Sequence, residues 1–180
     1  MATTWKTLEN RMNSDQHEVW LRVYVFVVLA HWGEHLVQAF QIFVLKWARP
    51  DSRGILGHFF PWLSTSESLH YFYALFMLVG LWVLRKGFIG RSLKWWLISL
   101  AIQFWHHFEH FLLQMQVLIG RNLFDSPVPT SLVQYFVPKV ELHMFYNTVV
   151  FIPMVVAMYY HLLPTDQERA HAKCTCALKV

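Results

Sequence analysis

Residues 19–45 read VWLRVYVFVVLAHWGEHLVQAFQIFVL, an apolar run interrupted near its centre by His31, Glu34 and His35. The run is longer than the ~20 residues that a helix needs to cross the hydrocarbon core of a bilayer. Further apolar stretches follow at about 69–84, 95–119 and 142–163. The pattern predicts an all-α integral membrane protein with four transmembrane helices.

The composition agrees with this prediction. Hydrophobic residues make up 56% of the 180 residues and charged residues only 14%, whereas soluble domains carry roughly a quarter of charged residues. The net charge of +4 comes from lysines and arginines in short loops, which indicates membrane topology and excludes nucleic acid as the expected partner. Their distribution predicts a cell-membrane protein, in contact with membrane lipid, with both termini in the cytoplasm.

The chain contains an internal duplication. His31-Trp32-Gly33-Glu34-His35 matches His106-His107-Phe108-Glu109-His110, and Leu69-His70-Tyr71-Phe72-Tyr73 matches Leu142-His143-Met144-Phe145-Tyr146 at nearly the same offset. Each copy is a helical hairpin, at about 19–85 and 94–163. Two hairpins of equal orientation predict a four-helix bundle with a parallel pseudo-two-fold axis along the membrane normal. Residues 1–180 then form one membrane domain, with 164–180 as a flexible polar tail.

Each predicted span carries a glutamate with a histidine close by. Burying an ionised carboxylate in a bilayer costs at least ~2.5 kcal/mol, so these groups need partners. Spacings of three and four place most of the pairs on one helix face, at a similar depth in the outer half of the membrane. The predicted metal ligands are His31, Glu34, His35, Glu67, His70, His106, Glu109, His110, Glu141 and His143.

Imidazole and carboxylate donors without a nearby thiolate indicate a transition metal. Ten donors exceed the needs of one ion, so we expect two ions, with iron as the first choice and copper or zinc as alternatives. The spacings His31-xxx-His35 and His106-His107-xx-His110 also resemble the histidine boxes of membrane di-iron desaturases and alkane hydroxylases. This chain is shorter and its last box is reduced to His143, so that resemblance assigns no residue a role.

These donors in an apolar setting favour a membrane metalloprotein with a dinuclear non-haem centre, most simply an oxidoreductase of the oxygenase or hydroxylase type. Its substrate would be a lipophilic small molecule. Electrons would come from a redox partner or a quinol, because the sequence has no nucleotide or flavin motif. Two alternative functions stay open: a metal-ion or proton transporter, and a haem- or pigment-binding accessory subunit of a membrane redox complex. Whether the chain forms an oligomer also stays open.

Several polar residues fall outside this pattern. His17, His58, His161 and His171 are interpreted as surface histidines, and Cys174 and Cys176 as reduced cysteines in the flexible tail. Tyr73 and Tyr146 are expected beside the predicted site. They either pack against it or exchange a proton or an electron there. Gln41 and Gln116 follow the histidines at equal spacing and are expected to bond the ligands or to line an entrance.

Overall fold

A computed structural model describes residues 2–178, with side chains from residue 4 to 177, and within this range it contains helices and no strand. Four long helices dominate the chain, and short ones cover the loops and the termini. The helices are α1 (Ala2–Met12), α2 (His17–Phe43), α3 (Leu56–Phe59), α4 (Pro61–Thr65), α5 (Glu67–Leu84), α6 (Gly90–Ile119), α7 (Lys139–Leu162), α8 (Asp166–His171) and α9 (Thr175–Leu178).

Local sequence signals explain several of these boundaries. Ser66 caps the start of α5, where its hydroxyl oxygen accepts a hydrogen bond from Leu69 N at 3.3 Å. Helix α6 ends at Gly120, whose φ of +70° is a left-handed conformation that glycine adopts without steric cost. Pro153 lies inside α7 and disrupts one helical turn. Close to that turn, Ser99 Oγ of α6 donates a hydrogen bond to Val150 O at 2.8 Å.

Among the described residues, three helices are long and apolar enough to cross a membrane: residues His17–Phe43, Glu67–Gly87 and Lys139–Leu162. Helix α6 is longer, at 30 residues, but it does not meet the same apolarity. Its second half carries the polar residues that duplicate the first copy, including His106, Glu109 and His110. Three of the four predicted spans are therefore supported by composition, and α6 differs from them in carrying more polar residues, most of which are buried.

The distribution of side chains is inverted relative to a soluble protein. Polar side chains such as Ser99, Gln103 and Glu109 are buried, at 0%, 2% and 3% exposure. Large apolar side chains such as Phe26 and Leu118 point outward, at 73% and 69% exposure. An extensive exposed apolar surface of this kind marks an interface with protein or membrane.

Helices α5 and α7 each pack against both α2 and α6, so α2 and α6 lie at opposite corners of the arrangement. The long helices have two distinct ends. At the loop end lie the connections 44–66 and 120–138; at the tail end lie α1, the α5–α6 turn, α8 and α9. An apolar core containing Leu81, Trp96 and Met154, all 0% exposed, fills the space between these ends.

The segment that follows α7 contains the two short helices α8 and α9, where the sequence predicted a flexible polar tail. A capping box formed by Thr165 and Glu168 begins α8. Helix α9 contacts α2 and α7, and Cys174 and Cys176 are 0% and 5% exposed. The contacts of α9 with α2 and α7 join residues that are far apart in the chain. Such contacts leave no periodic pattern in the sequence.

Candidate metal centre

Six histidines from the four long helices converge near the loop end, and His143 on α7 lies at their centre. Its ring contacts partners from α2, α5 and α6. The distances from the ring centroid of His143 are 4.5 Å to His35, 5.1 Å to His110, 5.2 Å to His106, 5.5 Å to His70 and 5.9 Å to His31. The convergence that the sequence predicted for the histidines is thus present.

Two groups of three histidines could each hold a metal ion, and they share His143. One is His31, His35 and His143, the other His106, His110 and His143; within each group the ligand atoms lie within 4.8 Å of one another. The two helical pairs have nearly the same geometry. The ring centroids are 4.5 Å apart for His31 and His35 and 4.7 Å for His106 and His110, with an interplanar angle of 81° in both.

The hydrogen bonds of two histidines leave their Nε2 atoms available as ligands. His70 Nδ1 donates to Ser66 O at 2.8 Å, and His35 Nδ1 lies 2.7 Å from Gln38 Oε1. A ring that donates from one nitrogen presents a lone pair on the other, which is the usual arrangement of a metal-bound histidine. The Nε2 atoms of His35 and His31 lie 2.9 Å apart and form a hydrogen bond in this structure, which a bound metal ion would replace.

Several ring nitrogens lack a partner in the described part of the chain. His106 Nδ1, His110 Nδ1 and His143 Nε2 are buried without a hydrogen bond. Leaving a buried polar atom unpaired costs about 1–3 kcal/mol, so such atoms need a reason to persist. A bound metal ion supplies one, and the residues present therefore fit a transition metal.

The four predicted glutamate ligands lie near the histidines, but their carboxylates have other partners, and two of them bind loop backbone. Glu34 accepts hydrogen bonds from Ile55 N at 2.7 Å and from Leu56 N at 2.9 Å. Glu109, at the equivalent position of the second copy, accepts one from Val133 N at 3.2 Å. In both copies this carboxylate holds the loop that follows its helix.

The other two glutamates form ion pairs between the copies. Glu67 at the start of α5 pairs with Lys139 at the start of α7, and Glu141 pairs with Arg49 of the first loop. The partners of the carboxylates are thus cations and backbone amides rather than the histidines that we expected. Among the described atoms, Glu67 Oε2, Glu109 Oε1 and Glu141 Oε2 stay buried without a hydrogen bond, so their role as ligands remains a prediction.

Gln41 and Gln116 also bind loop backbone. Gln41 Oε1 accepts from Gly54 N at 2.9 Å, and its amide donates to Gly54 O at 3.5 Å. Gln116 Oε1 accepts from Leu123 N and Thr130 N at 2.8 and 3.1 Å, and its amide donates to Leu112 O and Thr130 O at 2.8 and 2.9 Å. The equal spacing of the two glutamines reflects loop anchoring, which we had not inferred.

Two tyrosines lie against the histidines in matching positions. His31 stacks on Tyr73 at 3.6 Å, and the His106 ring lies 4.7 Å from Tyr146. Tyr146 accepts a hydrogen bond from Trp105 Nε1 at 2.7 Å. His107, which has no histidine counterpart in the first copy, contacts Tyr71 at 5.2 Å instead and lies outside both groups.

Two cavities large enough for a small molecule reach the centre. One of about 310 Å³ is bounded by α2, α5 and the first loop; it touches His31, His35, His70 and Tyr73, and the rest of its lining is largely apolar. Another of about 670 Å³ lies between the two loops and reaches His35, His70 and His143. Both volumes fall in the range of small-molecule sites.

A second cluster at the tail end was missed by the sequence reasoning. His17, His161, Cys174 and Cys176 are buried together, with ligand atoms within 4.8 Å of one another. The two histidines are not at the surface, at 0% and 2% exposure. The cysteines form a disulfide in this structure rather than two free thiols. The Cys-x-Cys spacing was the only available signal.

Comparisons of the chain with protein-family models, with curated proteins and with solved structures found no match. The function proposed below is therefore inferred from the geometry of this chain.

Proposed function

We propose that the chain is an integral membrane metalloprotein whose two tandem hairpins form a four-helix bundle with a dinuclear transition-metal centre at its loop end. The observation that carries this proposal is the convergence of six histidines from four helices around His143. A cluster of neutral imidazoles without a metal would leave several buried nitrogens unsatisfied. One ion in each histidine group would account for the arrangement, with His143 binding both through its two ring nitrogens after its ring proton is released to solvent.

The duplicated contacts support the tandem-repeat architecture. The pairs His31–His35 and His106–His110, the histidine–tyrosine contacts and the glutamine–loop contacts all recur in the second copy. A chance resemblance between short motifs does not predict recurring three-dimensional contacts. The exposed apolar side chains on the long helices support burial in lipid. The positive charges of the α5–α6 turn favour the tail end, with both termini, in the cytoplasm.

The imidazole-rich donor set suits iron, copper and zinc. Iron stays our first choice, with Glu67, Glu109 and Glu141 each able to offer its unpaired oxygen as a further ligand. Such a centre supplies redox or Lewis-acid chemistry when its metal is bound. Tyr73 lines the cavity that touches His31, and we propose that it exchanges a proton or an electron with substrate. Tyr146 contacts His106 and lines neither of the two cavities described above.

The cavity beside α2 and α5 favours an oxidoreductase acting on a lipophilic molecule. Val27, Ala30, Leu63 and Leu69 give it an apolar wall next to the histidines. A hydrophobic tail could enter from lipid between the two helices and present its reactive group to the centre. Reducing equivalents would come from a redox partner or a quinol.

Transport is the alternative, and the tail-end cluster favours it by placing metal-capable groups at both ends of the helices. The space between the ends argues against it. Leu81, Trp96, Met154 and Ala157 are all 0% exposed and form an apolar core there. Uptake of iron or zinc into liposomes containing the protein would favour transport over catalysis.

The test is elemental analysis of the detergent-purified protein by mass spectrometry, with His143→Ala, His35→Ala and His110→Ala in parallel. We expect about two transition-metal ions per chain in the wild type at the loop end. Because His143 belongs to both groups, its removal should weaken metal binding there at least ~100-fold, more than the loss of a residue that merely orients a ligand. His35→Ala should weaken mainly the binding of the ion in the group that contains His31. His110→Ala should weaken mainly the binding of the ion in the group that contains His106.

His107→Ala is the matched control, because His107 is adjacent to His106 on α6 but belongs to neither group. It should keep the wild-type metal content. A wild-type protein without iron, copper, zinc or manganese at the loop end would refute the proposal.

A further inference from the structure

We infer that the tail end holds a second, structural zinc site, formed by His17, His161, Cys174 and Cys176 when the two cysteines are reduced. Two imidazoles and two thiolates are one of the standard donor sets of structural zinc. The site lies outside the centre proposed above. It differs from that centre in its donor atoms, because both cysteines of the chain lie at the tail end.

The four side chains come from three separate parts of the chain. His17 begins α2, His161 lies in the last turn of α7, and the cysteines flank the start of α9. His17 Nδ1 lies 3.2 Å from Cys174 Sγ and 3.5 Å from Cys176 Sγ, and His161 Nε2 lies 2.9 Å from Cys176 Sγ. One ion at this point would tie the C-terminal tail to two long helices.

The orientation of His17 is that of a metal ligand. Its Nε2 lies 3.2 Å from Leu84 O, and a carbonyl can only accept, so Nε2 carries the hydrogen. Nδ1 then presents its lone pair toward the sulfurs, and the bond to a backbone carbonyl holds the ring in that tautomer. Gly87 packs so closely on this ring that a side chain there would collide with it.

The surroundings suit a closed site. The Phe88 ring lies 5.2 Å from His17 and 4.6 Å from His161 and stacks on Trp96 at 4.1 Å. Cys176 N donates a hydrogen bond to Cys174 Sγ at 3.2 Å, which would stabilise a thiolate there. Zinc with two thiolates and two neutral imidazoles has no net charge, so burying it carries no uncompensated charge.

The disulfide between Cys174 and Cys176 is the alternative state of the same two sulfurs. A dithiol reductant breaks the S–S bond with two electrons, gives two thiols and leaves as its own cyclic disulfide. Zn²⁺ then binds as both thiols release their protons to solvent. The zinc-bound and disulfide forms exclude each other, and a cytoplasmic tail end favours the former.

Cobalt substitution tests the site, because Co²⁺ bound by thiolate shows a sulfur-to-metal charge-transfer absorption that histidine and carboxylate ligands do not produce. The full-length protein in detergent is reduced with a phosphine, loaded with Co²⁺ and then titrated with Zn²⁺. We expect one sulfur-ligated ion per chain, displaced by zinc. The disulfide form should not show this absorption.

Cys176→Ser and His161→Ala should reduce or abolish the absorption, whereas His171→Ala, on the exposed face of α8, should leave it unchanged. The comparison of reduced and oxidised wild type stands even if a variant fails to fold. Absence of the absorption in reduced wild type, or its persistence at wild-type intensity in Cys174→Ser and Cys176→Ser, would overturn the inference. Metal found only with nitrogen and oxygen ligands would support the loop-end centre and refute this one.

Discussion

The loop end and the tail end of the long helices both gather metal-capable side chains, but the chain supplies them in different ways. At the loop end the six histidines come from four helices, and two pairs follow one-turn spacing within a helix. At the tail end α2, α7 and α9 contribute one ligand each, and Cys174 lies directly before α9. His17 and Cys174 are 157 positions apart. A site built from helical periodicity is visible in a sequence; a site built where chain ends meet is not.

The two ends also differ in what holds them. Around the loop-end histidines, glutamates and glutamines bind loop backbone, so the loops are fastened to the helices beside the centre. At the tail end α9, which carries Cys176, contacts α2 and α7, and α1 contacts α2 and α5. The first site is expected to be mainly functional and the second mainly structural.

The largest expected effect concerns the independence of the two ends. Along α2, His17 and His31 are about 21 Å apart at ~1.5 Å per residue, so the two sites share no ligand and should not couple strongly. His143→Ala should therefore remove loop-end metal and keep the cobalt–sulfur absorption, and Cys176→Ser should do the reverse. Metal analysis and absorption spectra of both variants measure this.

If either substitution removed both signals in a protein that is still folded, the division into two sites would be wrong. Circular dichroism of the same samples shows whether the helices persist. The double variant should lose both signals, each to the extent seen in the single variant.

A smaller effect is expected from the glutamines that anchor the loops. Gln116→Leu leaves several backbone groups of the second loop unpaired, at a cost of about 1–3 kcal/mol for a buried group. Gln41→Leu affects Gly54 alone and should cost less. Thermal unfolding in detergent and hydrogen exchange of residues 121–133 measure the difference, and equal effects in the two variants would contradict it.

The smallest effect is expected at Glu168 of α8. Hydrogen bonds from Arg91 lower the pKa of this carboxyl from its ordinary 4.5 to about 2. Because the folded pKa is depressed, the stabilisation is fully present above pH 4.5 and is lost as the pH falls toward 2. Glu168→Gln should lower the melting temperature at pH 7 by roughly 1–3 °C.

The same variant should remove the part of the acid dependence that comes from Glu168 between pH 4.5 and 2. Hydrogen exchange of residues 166–171 follows the local change. Glu18→Gln, which breaks an ion pair with Arg22 within α2, is a control that leaves α8 unaltered. An identical acid profile for wild type and Glu168→Gln would refute the assignment.

The sequence predicted the helices and the histidine convergence well, for a physical reason. Apolar runs of membrane length and spacings of three and four residues act within a single helix, so no tertiary information is needed to read them. His31 with His35 and His106 with His110 are such pairs. The duplication then indicated that both pairs face one centre.

The glutamates show where this reasoning stopped. Their spacing placed them beside the histidines, but it did not show that Ile55, Val133, Lys139 and Arg49 would reach their carboxylates. Three of those partners lie in the loops and Lys139 begins α7, and the path of the chain at these points follows from side-chain and backbone contacts rather than from a period. Whether a carboxylate faces a loop or a metal is decided by these competing hydrogen bonds.

By itself, the sequence determined the long helices, the pairs of histidines within them and the internal duplication, because each depends on residues near one another or on direct comparison of two segments. Only the tertiary structure decided which donors meet at the tail end. His17, His161, Cys174 and Cys176 approach one another because α2 begins where α7 ends and the tail folds back across both. That proximity is a property of packing, and no local spacing encodes it.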